Sequence, residues 1–232
     1  MKVKKIFNGS FAYYYENVIN RISSSIQVNR WRKKLVDGAL SINPSPHLVV
    51  DFCSGAGNIG EFLLKRAPKT KLVNCDISKP LLLMAKRKLN GKALYVCSDN
   101  RFFPIKGESV DIVFSSFCVR NSPEPEKTLE EVKGVLKTGG VFAVLDFFKP
   151  EEKNGSFNLN RCIFNQFMKI NTLLSNANRE AINYLFESIE NFCSVSEFMK
   201  ILRMYGFTIK KVENFMGDVA TNIIAVKGGE NV

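Results

Sequence analysis

The chain has 232 residues, within the range of one α/β domain with ample length for a core, and 33 Lys and Arg against 22 Asp and Glu give a formal charge of +11. Such a balance favours an anionic neighbour, a phospholipid surface or a nucleic acid, against the plain alternative of dispersed, solvated lysines. No 18-residue apolar run appears, and MKVKKIFNGSF is not followed by an apolar stretch of signal-peptide length, so the expectation is a soluble cytoplasmic protein with at most peripheral membrane contact.

In chain order, residues 1–46 read as helical. Phe11, Tyr14, Tyr15, Val18, Ile19 and Ile22 recur at roughly helical spacing. A second segment, Val28 to Leu40, sets Trp31, Leu35 and Val36 among Arg30, Arg32, Lys33 and Lys34. The pair would form a lid over the glycine loop at residues 53–57, or simply pack on the sheet. Asn43-Pro44-Ser45-Pro46 ends the helix. His47, the only histidine, is assigned no role.

The stretch VVDFCSGAGNIG, Val49 to Gly60, reads as a buried strand, a turn of small residues and a helix start. Gly55 and Gly57 can take backbone angles closed to other residues, and with Ala56 between them they let a ligand approach the main chain. The order D-x-x-x-G-x-G, with Asp51 ahead of the glycines, departs from the dinucleotide fingerprint G-x-G-x-x-G. It favours S-adenosylmethionine: a carboxylate at the strand end can face the cationic amino-acid end of that cofactor. A generic turn capped by Asn58 is the bland alternative.

From residue 47 to 150 strand and helix alternate. Lys71 to Cys75 is a strand ending at Asp76, about the spacing at which a βαβ unit presents its ribose-binding acid. Asp76 is thus the candidate for the ribose hydroxyls, with Ile77 beside it, although it could instead cap the helix carrying Leu81 to Leu89. Ala93 to Cys97 is the third strand, and Asp99 and Asn100 follow where an adenine would lie. Val110 to Ser115 is the fourth strand with Ser116 at its end, Pro123 to Leu136 a helix, and Val141 to Phe147 the fifth strand after Thr138-Gly139-Gly140. Ligands of such sheets sit at the carboxyl ends of the strands.

Residues 151–192 form an insertion dense in apolar side chains, Phe157, Ile163, Phe164 and Phe167 among them, read as a helical substrate cap. Residues 193–232 close the chain with a helix over Ser194 to Met204 and strands at Phe207 to Phe215 and Ala220 to Lys227. The six cysteines include no C-x-x-C pair, and they read as reduced core residues, neither disulfides nor zinc ligands, so no metal is expected.

FSSFCVRN (Phe114 to Asn121), SDNRFFPI (Ser98 to Ile105), GVLKTGGVFAVLDFFKP (Gly134 to Pro150) and YLFESIENF (Tyr184 to Phe192) resemble the ubiquinone/menaquinone biosynthesis C-methyltransferases. The likeness runs from about Phe7 to Val226, and Arg120-Asn121 carries more of it than the glycine loop. Tyr15-Glu16, Asn20, Ser24 and Trp31 fall close to the family's N-terminal pattern, with one extra residue between Tyr15 and Asn20. Departures lie in the substrate half: Val28 replaces the usual His, Gly134 the usual Arg, Thr138 the usual Pro, Asp146-Phe147-Phe148 the usual E-x-S, and the last strand differs.

The resemblance implies one Rossmann-like class I methyltransferase domain, a seven-stranded mostly parallel sheet with a C-terminal antiparallel strand, N-terminal helices and a helical insertion after the fifth strand. It implies S-adenosylmethionine as cofactor, leaving as S-adenosylhomocysteine, with Asp51, Gly55, Ala56, Gly57, Asp76, Ile77, Asp99, Asn100 and Ser116 as its site. Methyl transfer would go to carbon, on a prenylated quinol precursor. There Arg120 would stabilise a phenolate or lower the pKa of a water, and Asn121 would orient either. Tyr15, Trp31, Phe117 and Phe164 are the substrate-contact candidates, the substrate being a hydrophobic small molecule. A homodimer and contact with an anionic membrane are compatible with this; a nucleic-acid partner is disfavoured, because no N-P-P-Y/F motif appears. Methylation of RNA or another small molecule, and a binding-only subunit, stay open as alternatives.

Overall fold

A computed structural model describes residues 25–151, 179–215 and 220–229. Its elements, in order, are α1 (Ser25–Ile42), β1 (Leu48–Phe52), α2 (Asn58–Arg66), β2 (Lys71–Asp76), α3 (Lys79–Lys88), β3 (Leu94–Cys97), β4 (Val110–Ser116), a 3-10 turn (Val119–Asn121), α4 (Pro125–Val135), β5 (Leu136–Phe147), α5 (Arg179–Glu190), α6 (Val195–Met204), β6 (Phe207–Phe215) and β7 (Ala220–Lys227). The expected helix at Val28 to Leu40 extends over Ser25–Ile42, the fifth strand begins at Leu136 and not at Val141, and the other expected boundaries move by a residue or two.

The strands form one sheet in the order β3-β2-β1-β4-β5-β7-β6. The first five pair in parallel, and β7 runs antiparallel to both β5 and β6. This is the anticipated seven-stranded sheet with its antiparallel C-terminal strand. The order reverses between β1 and β4, so the carboxyl ends of those two strands flank the crevice where ligands of open α/β sheets bind.

The alternation along β1 divides the core between the two sheet faces. Val49 packs with Val28, Leu35 and Val36 of α1, Ile59 and Leu63 of α2, and Leu185 and Ile189 of α5. Val50 and Phe52 pack with Leu129 and Val132 of α4 and Phe198 and Leu202 of α6. Asp51 belongs by this alternation to the Val49 face. Each fully buried Leu or Val contributes on the order of 2 kcal/mol.

Local chemistry sets several ends. Ser194 opens α6 with a reciprocal capping box: its hydroxyl accepts from the Glu197 N–H at 3.3 Å, and its own N–H donates to the Glu197 carboxylate at 2.7 Å. The Thr138-Gly139-Gly140 turn expected ahead of the fifth strand lies inside β5. Leu136 already pairs with Val110, the register then shifts, and the ladder resumes at Val141 opposite Ile112.

One expectation is overturned. Cys53 and Cys118 are joined by a disulfide, with their Cα atoms 5.9 Å apart, whereas all six cysteines read as reduced. The cause is non-local: β1 and β4 are parallel neighbours with Phe52 opposite Ser115, so the turns that leave them lie side by side. Cys75, Cys97 and Cys193 are free thiols, and Cys162 lies outside the described residues.

Candidate active site

The turn after β1 is built as its glycines demand. Gly55 and Gly57 have φ of 52° and 76°, in the left-handed region. A Cβ on Gly57 would stand 3.0 Å from the Ala85 Cβ. The turn is pinned to β2, since the Ser54 N–H donates to the Cys75 carbonyl at 3.0 Å and the Gly55 N–H to Asp76 Oδ2 at 2.8 Å. Asp76 Oδ1 accepts from the Ser78 N–H at 2.8 Å. Asp76 is therefore held rigidly at the end of β2 beside the turn. Each carboxylate oxygen has two lone pairs, the chemistry a pair of ribose hydroxyls would need at this position. Ala56 is buried, Ile77 half-buried, and Asp51 is 1% exposed at the end of β1.

After β3, Asp99 and Asn100 are half-buried. Asp99 Oδ1 accepts from the Arg101 N–H at 3.1 Å and from Arg101 Nε at 2.8 Å, and Oδ2 from Arg101 Nη2 at 2.8 Å. Arg101 also pairs with Glu124 at the start of α4. Both Asp99 carboxylate oxygens thus serve Arg101.

At the end of β4, the Ser116 hydroxyl accepts from Arg32 Nε of α1 at 3.4 Å, and the Arg32 guanidinium lies 5.5 Å above the Phe117 ring. Phe117 has φ 59° and Cys53 φ 51°. The left-handed region costs a non-glycine residue about 1–2 kcal/mol, and each of the two linked turns holds one such residue. Phe117 is also packed against Phe147, with centroids 4.9 Å apart.

Arg120 and Asn121 form the 3-10 turn beyond it, and both are firmly held. Arg120 pairs through Nη1 with Asp146 Oδ1, and both side chains are 0% exposed. The Arg120 N–H donates to Asp146 Oδ2 at 3.2 Å, and the Phe147 N–H to Asp146 Oδ1 at 2.9 Å. Burial pushes the Asp146 carboxyl up from its ordinary value, while the Arg120 guanidinium and the backbone N–H groups pull the other way. Arg120 Nε donates to Ser188 Oγ of α5 at 2.9 Å. Asn121 is half-buried; its Nδ2 donates to the Phe117 carbonyl at 3.1 Å, and its Oδ1 accepts from the Tyr184 hydroxyl at 3.2 Å. A plain turn would have paired Arg120 with Glu124 or Glu126; here its carboxylate partner is Asp146.

These features, a glycine turn under a strand-end acid, an acid on the next strand and an Arg-Asn pair at the end of β4, stand in one row along the carboxyl edge of the sheet. Residues 1–227 match the ubiE/COQ5 methyltransferase family. The chain belongs to that family. It is 32% identical over 235 residues to the ubiquinone/menaquinone biosynthesis C-methyltransferase UbiE of Campylobacter jejuni, covering 97% of each chain. It is 30% identical over 198 residues to the demethylmenaquinone methyltransferase of Thermus thermophilus, covering 84% of this chain and 88% of that one. The 2-methoxy-6-polyprenyl-1,4-benzoquinol methylase of Caenorhabditis elegans is 30% identical over 199 residues, 82% of this chain and 68% of its own length.

The solved plantazolicin methyltransferase BamL, in complex with a triazolic substrate analogue and S-adenosylhomocysteine, superposes with a TM-score of 0.70 at 16% identity, covering 98% of this chain and 95% of that chain. That likeness is one of fold. The protein is an S-adenosylmethionine-dependent methyltransferase, and the glycine turn, Asp76 and the buried strand-end Asp51 suit that cofactor in backbone angles and donor set.

Tyr15 and Phe164 lie outside the described residues. Trp31 stacks on Phe215 with centroids 5.3 Å apart and 13° between planes, and is 4% exposed. Its ring, like that of Phe117, packs against a second ring. The sequence reading missed Asp146, Ser188, Tyr184 and Arg32. Asp146 was visible as the acid in the place of the family's Glu, while Tyr184 and Ser188 are one of two polar pairs four apart in YLFESIENF, the other being Glu187 and Asn191.

Proposed function

We propose that this methyltransferase acts on a ring carbon of a prenylated quinol precursor of menaquinone or ubiquinone. The observation that carries the reading is the Arg120-Asn121 pair fixed at the end of β4, against the cofactor turn to which Cys118 is linked. The bound cofactor supplies an electrophilic methyl on a positive sulfur. What this chain must supply is a nucleophilic carbon held in line with it, in a dry crevice.

A quinol ring becomes nucleophilic at carbon when a hydroxyl loses its proton. Asn121, half-buried, is the member that meets the acceptor's oxygen first. Arg120 stands behind it, enclosed with Asp146, as a fixed cation that favours the ionised form of the acceptor or of a water between them. The prenyl tail of such an acceptor would bring the enzyme to a membrane, and the charge of +11 suits an anionic surface. No helix among the described residues is long and apolar enough to cross one.

Labelled S-adenosylmethionine offered with quinols of both ring types, and separately with total RNA, tests the reading. Transfer to a quinol is expected. Transfer to RNA alone would replace the substrate class, and absence of saturable cofactor binding by calorimetry would sink both.

A further inference from the structure

Both members of the Arg120-Asn121 pair are hydrogen-bonded to one face of α5. Ser188 Oγ accepts from Arg120 Nε at 2.9 Å, while its own proton goes to the Leu185 carbonyl at 2.7 Å. The hydroxyl proton being committed to the helix backbone, an oxygen lone pair is turned toward the guanidinium. One turn earlier, the Tyr184 hydroxyl donates to Asn121 Oδ1 at 3.2 Å, and Asn121 Nδ2 donates to the Phe117 carbonyl at 3.1 Å. The carboxamide is gripped at both ends, which leaves it one orientation and not two. Residues 184 and 188 are four apart, so they share a helix face. That helix is seated on the core by Leu185 and Ile189, from the same stretch of sequence.

We propose that Ser188 and Tyr184 are positioning residues, which orient the Asn121 carboxamide toward the acceptor and fix the plane of the Arg120 guanidinium behind it, so that α5 completes the reacting pair. This rests on the role given to that pair above. The carboxylate contact at Nη1 fixes one edge of the guanidinium, and the tie at Nε adds a second point that sets its plane. Loss of either tie leaves binding of cofactor and acceptor nearly intact but misaligns the pair during transfer.

Ser188→Ala should lower kcat on the order of tenfold to a hundredfold, the range for one hydrogen bond to a charged group, with KM changed less than about threefold. Ser188→Thr, which restores the acceptor oxygen, should recover most of the loss. Tyr184→Phe should cost about tenfold in kcat and shift the alkaline limb of the pH profile, because the carboxamide is freed to flip. A purely structural Ser188 would give a lower melting temperature, an unshifted pH profile and no difference between Ala and Thr. Wild-type kcat in Ser188→Ala, beside a damaged Arg120→Lys, would overturn the proposal.

An arm without acceptor separates this from failure of the substrate reading. The Arg120 Nε–H resonance, assigned by its disappearance in Arg120→Lys, should exchange slowly in wild type and much faster in Ser188→Ala. Equal exchange in the two would overturn the proposal even if no quinol is methylated. Slow exchange that Ser188→Ala abolishes, in an enzyme inactive on quinols, would uphold the tie and discard the substrate.

Discussion

Asp146→Asn removes one charge from a pair in which neither side chain has any exposed surface. The substitution keeps the shape and one acceptor oxygen, so packing against Phe147 and the bond from the Phe147 N–H can persist. What it leaves is a guanidinium enclosed by β4, β5 and α5 without the carboxylate that faces it. Breaking a buried pair in this one-sided way costs about 3–5 kcal/mol, a large share of the roughly 5–15 kcal/mol that holds a domain folded. Urea denaturation followed by circular dichroism would read it as a lower midpoint at unchanged slope. Replacing both partners, Asp146→Asn with Arg120→Met, should recover much of the loss, because no uncompensated charge then remains. The double variant should regain stability and stay inactive. A single variant less than about 1 kcal/mol below wild type, or a double variant no more stable than the single one, would refute the claim that an enclosed ion pair ties the Arg120 turn to β5.

Gly57→Ala should cost about 1–2 kcal/mol and weaken S-adenosylhomocysteine binding by calorimetry, since φ is 76° and the new Cβ would stand 3.0 Å from the Ala85 Cβ. Burial pushes the Asp111 carboxyl up, but the Lys137 ammonium and the N–H groups of Leu48 and His47 together hold it below the ordinary carboxylate range. Its contribution is therefore present above about pH 4 and lost as the pH falls below that, and Asp111→Asn should flatten this part of the stability curve in acid titrations. Phe117→Ala should cost about 3–5 kcal/mol of packing, yet Phe117→Gly should be the more stable of the two by about 1 kcal/mol, the reverse of the usual order, because φ is 59°. Burial pushes the Cys75 and Cys193 thiols up to about 12, so alkylation of the native protein at about pH 8 should mark the exposed Cys97 ahead of both. Peptide mapping without reductant should return Cys53 and Cys118 as one cross-linked peptide.

The turn after β1 and the acid at the end of β2 were legible in the sequence because their geometry is local. A strand, two glycines with positive φ and an acid at the next strand end follow one another within a few dozen residues, and backbone geometry alone sets their relation. The ties of Arg120 were not legible. Its carboxylate lies 26 residues away and its Nε acceptor 68 away, and no periodicity within β4 or α5 pairs them. The same distance in sequence hid the link of Cys53 to Cys118, 65 residues apart, and led to the reading of six reduced thiols. The packing partners of the aromatic candidates were hidden for another reason. Composition marks Trp31 and Phe117 as large apolar surfaces without saying which partner covers them, and here Phe215 and Phe147 do.

Register is the quantity that converts the unreadable part into a readable one. Once Ser116 is placed opposite Leu145, the Phe117 N–H meets the Leu145 carbonyl at 2.7 Å and the next residue on β5 is Asp146. The strand end that delivers Arg120 thus arrives beside a carboxylate facing it, and the left-handed turn at Phe117 bends the chain so that the guanidinium lies over the Phe147 ring, 5.4 Å from its centroid. A shift of one residue in that ladder would send Asp146 to the opposite face of the sheet and leave Arg120 enclosed without it. Phe142, Ala143, Val144 and Leu145 are all apolar and buried, so they hold the strand in the core without choosing its register, and the charge is what only one register can satisfy. A slipped apolar strand can repack, whereas a buried guanidinium facing the wrong side has no comparable alternative.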